Sequence, residues 1–499
     1  MAGLDTSTVG APSSRARTSA LVLGIALTLV TGLAVTAAKA PLVALVVVAG
    51  AVLLGAAVFF PDLITVAVVI LIYSNAAVIA VRVHHVPVFV GAAVPLLLLI
   101  PLANQVLAKR QPIVLASALP WALAYLAVQI VSALLSSDTP TSWQSVTQFL
   151  FEGLLLFFVV TNVVRTPQSL RRLVWALLFV GAFLGGLTAY QTLTKDYGRS
   201  YYGFAQPDEL GVQAYYDAAG TIRPVDSQPP RQGGPLGEPN RYAQIMAALL
   251  PLGLLRLTQG RSTIERAAAL GATALIAVAI AYTFSRGAAV GIAVSVLAAL
   301  LLRFVRLREL ALFGVVFVAF VLAVPGYAAR LGTIATAPGA ITQDTSRGVA
   351  DGAIRGRLGE AAAGLKIFAD HPLLGVGPGM YALKYHDYVK GSGFKVRPGP
   401  RQAHNLLLDI ASETGIVGLG CFLGAVVATL CGLTRARRRL LVADPRLAGL
   451  VTSVALAILV YLGTSLFLQI SYERYFWLWL ALGAAASTLT PRSADASAS

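Results

Sequence analysis

Charge is what this chain has least of. Of its 499 residues only 12% are Asp, Glu, Lys or Arg, 57% are hydrophobic, and the mean hydropathy is +0.76. Soluble domains carry roughly 25% charged residues, so a water-soluble class is excluded and a polytopic membrane protein remains. Acidic residues are the scarcer sign, 22 against 38 Lys and Arg, which leaves a formal net charge of +16. The excess does not point to nucleic acid. The basic residues fall in short clusters between apolar runs, with no basic patch interleaved with aromatics. Such clusters are the footprint of cytoplasmic loops against anionic lipid. Cysteine is nearly absent. Cys421 and Cys431 share one apolar run, about 15 Å apart along a helix, which is too far for a disulfide. No zinc-binding spacing, internal repeat or soluble domain is present.

What is abundant is apolar sequence in membrane-length runs. They occur at about 19–37, 41–60, 62–81, 86–107, 113–135, 146–164 and 170–190, then at 240–258, 266–284, 287–305 and 309–325, and finally at 414–433, 447–468 and 473–490. Lipid offers the backbone no hydrogen bonds, so these runs are helices. The expected class is an all-α, polytopic protein with about 14 transmembrane helices. Arg15 and Arg17 precede the first run, which is long and followed by Pro41, and this favours a retained span over a cleaved signal. With the N-terminus inside, the cytoplasm receives Lys109-Arg110, Arg165, Arg171-Arg172, Arg256, Arg261, Arg266, Arg303, Arg306, Arg308, Arg435 and Arg437-Arg438-Arg439. The opposite short loops hold little beyond Lys39 and Arg82.

The expected organisation follows. A cytoplasmic tail (1–18) precedes an N-terminal bundle (19–190) and an extracytoplasmic loop (191–239). Further spans (240–325), a large extracytoplasmic loop containing amphipathic helices (326–413), the last spans (414–490) and a cytoplasmic tail (491–499) complete the chain.

Four polar blocks sit where these loops meet spans. In Gly237-Glu238-Pro239-Asn240-Arg241-Tyr242-Ala243, Pro239 disfavours helix before it, and Asn240 is placed to cap the next span. Thr283-Phe284-Ser285-Arg286-Gly287-Ala288 is a tight turn between spans that holds Arg286 at the membrane surface, where a guanidinium suits phosphate oxygens. The third block runs from Arg355-Gly356-Arg357-Leu358 to Gly375-Val376-Gly377-Pro378-Gly379-Met380-Tyr381. Leu358, Ala362, Leu365 and Phe368 recur in it at helical spacing, as in an amphipathic helix over the membrane. Its glycine-rich turn lacks the strand and Lys-Ser/Thr context of a nucleotide loop. The fourth opens at His404-Asn405. Imidazole is the side chain best suited to accept a proton near neutral pH. Asp409 and Glu413 follow on one helical face, as expected of a solvated or Arg-paired surface. Glu152 falls inside a span and must be protonated, paired or in a water-filled cavity. Tyr472-Glu473-Arg474-Tyr475 opens the last span.

His404-Asn405, nine residues, then Gly415-x-x-Gly418, preceded by the other three blocks in order, resembles the signature of the O-antigen ligase family, which includes Wzy-type polymerases. The chain departs from the pattern where alanine replaces an aromatic a few residues after Arg357. The resemblance implies transfer of a glycan from undecaprenyl diphosphate to a glycan, lipid or protein hydroxyl. The reaction would need no metal or other cofactor and would occur on the outer face of the bacterial inner membrane, with both termini cytoplasmic. It implies His404 as general base, with Arg286 and Arg357 (Arg355 as second choice) on the diphosphate. Asn405, Asn240, Arg241, Tyr381 and Arg474 would contact substrate. Ligase and polymerase differ in the acceptor, and these blocks do not separate them.

A transporter is the rival from another class, with Asn75, Asn104, Gln129 and Glu152 along a path. Two matching halves with Gly/Pro-broken spans are missing, however, and polar residues concentrate in the loops instead of the midplane.

The charge pattern predicts sidedness. Alkaline phosphatase fused after residue 390 is expected to be active and the same reporter fused after residue 439 inactive; the reverse pattern would invert the topology.

Overall fold

The computed structural model describes residues 61–206, 214–216, 222–224, 231–260, 262–304, 350–390, 401–468 and 473–490. The expected spans at 19–37, 41–60 and 309–325, and both tails, lie outside the described residues. The rest is helical apart from one antiparallel hairpin in the first long loop, β1 (Ala214–Tyr216) against β2 (Ile222–Pro224).

In chain order the first helices are α1 (Pro61–Tyr73), α2 (Ala76–Arg82), α3 (Val88–Ala108), α4 (Leu119–Leu134), α5 (Thr139–Val163) and α6 (Pro167–Thr194). After the loop come α7 (Pro239–Ala247), α8 (Leu250–Gln259), α9 (Thr263–Tyr282) and α10 (Arg286–Leu301). The polar segment carries α11 (Ala350–Asp370) and α12 (Tyr381–Val389), and the chain closes with α13 (Leu406–Ala443), α14 (Pro445–Ser465) and α15 (Glu473–Thr488). Among the described residues six helices are long and apolar enough to cross a bilayer: α3, α5, α6, α9, α13 and α14. A seventh is counted if α1 and α2, bent by 56° at Asn75, form one broken span. A helix of 16 residues, such as α4 or α10, is about 24 Å long, short of a hydrocarbon core of about 30 Å. The architecture is multi-pass and helical; the figure of about 14 spans stays an expectation.

The core is built around α15. Phe476, Trp477 and Trp479 are at most 1% exposed, and Trp477 makes edge contacts with Phe149, Phe157 and Phe422. Such aromatic pairs supply dense packing where lipid gives no hydrophobic drive. Small residues let other helices close up. Gly291 of α10 lies against Thr464 and Gly463 of α14, and Ser295 Oγ donates across to the Leu459 carbonyl at 2.9 Å. A separate small cluster of Ala363, Ile367, Met380, Tyr381, Tyr385 and Ala403 forms the core of the polar segment.

The two cores meet at a helix break. Within α13, Gly415 adopts φ 66°, ψ −169°, a backbone that L side chains rarely adopt. The turn between α11 and α12 fills the gap. Val376 N–H donates to the Ser412 carbonyl (3.1 Å) and Gly377 N–H to that of Glu413 (3.0 Å). In return the Pro372 and Leu373 carbonyls accept from Ile416 N–H (2.8 Å) and Val417 N–H (3.4 Å). Ser132 Oγ, at the end of α4, lies 2.6 Å from the Leu374 carbonyl and 3.0 Å from that of Glu413, and shares its one hydrogen between them. Every backbone group named here would otherwise be orphaned at the membrane edge. The glycine-rich turn is therefore a strap over the break, with Gly377 and Gly379 pressed against Ser136, Ser142 and Ser145.

This break also orders the ends of the bundle. The α4–α5 loop touches the strap, the α9–α10 turn touches the residues before α7, and α13 starts beside the strap. All three lie at one end. Arg165 (bonded to the Pro112 carbonyl, 2.8 Å), Arg172 (paired with Asp62, 3.1 Å), Arg437 (to Thr452, 3.1 Å) and Arg439 (to the Ser487 carbonyl, 3.3 Å) lie at the other.

Gly415→Ala is expected to destabilise the protein by about 1–3 kcal/mol through strain alone, and by more because its Cβ would overlap the Leu373 carbonyl. Gly420→Ala, on the same helix with open space around it, is expected to be neutral or mildly stabilising. Thermal unfolding of the two variants in detergent compares them directly; equal melting temperatures would contradict the strap.

Candidate functional site

The site grows from four chain segments brought to the strap end of the bundle. Glu238 precedes Pro239, which holds it extended (φ −126°, ψ 112°), and this is the backbone of an N-cap. Its carboxylate accepts from Asn240 N–H (3.2 Å) and Arg241 N–H (2.8 Å). The cap of α7 is thus Glu238 and not Asn240 as expected, because proline fixes the preceding residue in the capping conformation. Asn240 is released for another task. Its Oδ1 accepts from Ser285 Oγ (2.9 Å) and from the Arg231 guanidinium (3.0 Å). Arg231 also donates to the Thr283 carbonyl (2.8 Å). The Pro-Asn block and the Ser-Arg-Gly turn are therefore one hydrogen-bonded unit. Arg286, at the first position of α10 and capped by Ser285, leaves this unit half-buried.

A second link reaches the histidine loop. Arg241 faces Glu238 at 3.8 Å and donates to Gln402 Oε1 at 3.0 Å. Gln402 in turn offers its backbone carbonyl to His404 Nδ1 at 2.9 Å. A carbonyl only accepts, so Nδ1 carries a ring hydrogen, and in the neutral ring Nε2 is then the nitrogen that presents a lone pair. His404 itself sits in the left-handed region (φ 49°), a strained backbone of the kind that clusters at functional sites. Asn405 caps α13 by accepting from Leu408 N–H (3.0 Å), and it donates to the Leu466 carbonyl (3.1 Å), which ties the loop to the end of α14. Both ends of its amide serve the scaffold.

The third segment is α11. Gly364 lies flush against Leu408, and Glu360, one turn earlier, lies 3.2 Å from His404 Nδ1. The contacts 360–404 and 364–408 advance together, so α11 and the start of α13 run side by side in the same direction. Arg357 is one turn before Glu360 and half-buried; the side chain of Arg355 lies outside the described residues. Tyr381, expected to contact substrate, is 1% exposed and donates its hydroxyl to the Glu360 carbonyl at 2.6 Å. Burial, with the Glu360 carboxylate nearby, pushes its phenol well above the usual range. It stays an O–H donor and holds α11 in place. Glu413, read from sequence as a solvated or Arg-paired carboxylate, instead accepts Tyr381 N–H at 3.1 Å and fastens α12 to α13. Asp409 lies close enough to His404 and Arg241 to interact electrostatically with both.

Arg474 belongs to a neighbouring cluster. Its guanidinium faces Glu152 at 3.3 Å and donates to Asn75 Oδ1 at 2.6 Å, so the charge inside α5 is paired. Asn75 bonds the Pro235 carbonyl at 2.8 Å, and this joins the cluster to the segment that leads into Glu238. The helix irregularities coincide here: Asn75 sits in the α1–α2 break and Glu152 in a π-helical turn, Phe149–Leu155. Such turns recur at functional positions.

Glu360 is the residue that sequence reasoning missed. It is 1% exposed, and neither carboxylate oxygen has a hydrogen-bond partner of good geometry among the described residues. The 3.2 Å approach to Nδ1 is thus an electrostatic contact, since the ring N–H is aimed at Gln402. Among the described residues no group of three or more His, Cys, Asp or Glu side chains is arranged to hold a metal ion.

Residues 271–423 match the family model Wzy_C, described as O-antigen ligase; no curated protein matches the chain. The matched stretch contains Arg286, Arg357, Glu360, Tyr381, His404 and Asn405, while Asn240, Arg241 and Arg474 lie outside it. Over that stretch the chain is similar to the O-antigen ligase family, which includes Wzy-type proteins.

Proposed function

We propose that the protein moves a glycan from an undecaprenyl diphosphate donor to an acceptor hydroxyl on the extracytoplasmic side of a bacterial inner membrane. The observation that carries this reading is the hydrogen bond from His404 to the Gln402 carbonyl: it commits Nδ1, which in the neutral ring leaves Nε2 to accept a proton. In the reaction the acceptor O–H gives its proton to Nε2 as its oxygen attacks the anomeric carbon. The bond from that carbon to the diphosphate breaks, and the electron pair leaves with undecaprenyl diphosphate. A single displacement of this kind inverts the anomeric centre. Arg286 and Arg357 take the diphosphate, where fixed cations stabilise the charge that grows on the leaving group.

The hydrogen-bonded chain Ser285–Asn240, Arg241–Gln402, Gln402–His404 links the first, second and fourth blocks, and the approach of Glu360 to His404 brings in the third, which supports a single site. In this reading residues 326–413 form the catalytic loop and the strap end of the bundle faces outward. The arginine-rich end faces the cytoplasm with both termini, as positive charge favours. Arg241 and Asn240 hold the site together, and Arg474 lies at its edge against the spans. The donor's polyprenyl tail lies in lipid beside the spans, and the acceptor is a glycan, lipid or protein hydroxyl.

His404→Ala is expected to lower transfer by about 10²–10⁴-fold without loss of protein from the membrane. The check is transfer of radiolabelled lipid-linked glycan, extracted from the parent strain, in membranes that carry the variant. Unchanged transfer would remove His404 as base.

A further inference from the structure

Glu360 is buried at 1% exposure with no hydrogen-bond donor on either oxygen among the described residues, and the Nδ1 of His404 lies 3.2 Å from its Oε2. A carboxylate left dry and unsatisfied is costly, so a fold keeps one where another state of the molecule offsets the cost. The geometry identifies that state. In the resting site the ring N–H is spent on the Gln402 carbonyl, and the carboxylate gains little. Once Nε2 takes the acceptor's proton, the ring is a cation directly against the carboxylate, in a water-poor setting where opposite charges attract strongly. An interaction that strengthens only as the proton moves lowers the barrier and does not tighten binding of the substrate.

The surroundings are built to keep this contact. Tyr381 fixes the Glu360 backbone through its carbonyl (2.6 Å). The absence of a side chain at Gly364 lets α11 close against Leu408, and the left-handed backbone of His404 (φ 49°) turns the ring onto Glu360. We propose that Glu360 is a positioning residue for glycan transfer: it holds the His404 ring by its Nδ1 side and stabilises the imidazolium formed when Nε2 takes the hydroxyl proton. Glu360 itself exchanges no proton, and bond making and breaking are those of the transfer step. This rests on His404 being the base.

The test uses the full chain in proteoliposomes with radiolabelled lipid-linked glycan extracted from the parent strain, and it reads kcat and donor KM separately. Glu360→Leu is expected to lower kcat roughly ten- to hundredfold, with donor KM changed by less than about twofold. Glu360→Gln retains an acceptor oxygen but no charge, and is expected to fall between Glu360→Leu and the parent protein. In a His404→Ala background, Glu360→Leu is expected to cost nothing further, since the carboxylate acts only through the ring. A parent-like kcat for Glu360→Leu beside an inactive His404→Ala overturns the role of Glu360 and leaves the base in place. Full additivity of the two losses, or a loss confined to KM, also overturns it. Where Glu360→Leu fails to reach the membrane, the isosteric Glu360→Gln decides: a parent-like kcat refutes the proposal. A His404→Ala protein that transfers at the parent rate refutes the underlying reading instead.

Discussion

A helix that breaks at a membrane surface abandons backbone hydrogen bonds that some other segment must take up, and in this protein that segment is the turn 372–377. Four main-chain bonds cross between it and the Gly415 break, and the Ser132 hydroxyl of a third helix bridges two of the carbonyls there. Unsatisfied backbone groups cost several kcal/mol each in such a place, so the turn and the broken helix depend on one another. The consequence is positional. The first turns of α13, which carry Asn405, Asp409 and Glu413, are fixed relative to α11 and α12 on one side and to the spans on the other.

From that junction the arrangement of the site follows step by step. The strap brings α11 alongside the start of α13, which sets Glu360 against His404. Glu413, anchored to Tyr381, and Tyr381, anchored to Glu360, close a loop of contacts around the same place. Arg241 reaches in from α7 through Gln402, and Asn240 carries the linkage on to Ser285, next to Arg286. His404, in the short loop that Asn405 closes, is thus held between packed helices, while Arg286 and Arg357 sit on helices themselves.

Much of this was legible in the residues. Apolar runs marked the helices, and short basic clusters marked one end of the bundle, because lipid and headgroup impose those patterns on any multi-pass chain. The four blocks were visible as polar islands at span edges, and Glu152 announced its need for a partner. What could not be read depended on contacts between distant segments. Glu360 looks like any polar residue on the wet face of an amphipathic helix; only its contact with a histidine 44 positions away, and its burial, give it meaning. Glu238 was overlooked beside Asn240 because both suit a cap, and the restraint imposed by Pro239 decides between them. Asp409 and Glu413 read as a charged helix face because the break at Gly415 and the strap over it leave no local periodic signal. A single glycine in an apolar run is ordinary sequence.

Hydrogen–deuterium exchange across residues 372–379 and 412–418, in a lipid nanodisc, measures that junction most directly. The amides of Val376, Gly377, Ile416 and Val417 are expected to exchange as slowly as those in the continuous part of α13 that follows. Exchange at the rate of open loop backbone would mean that the turn does not close the break, and that the strap does not set α11 and Glu360 against His404.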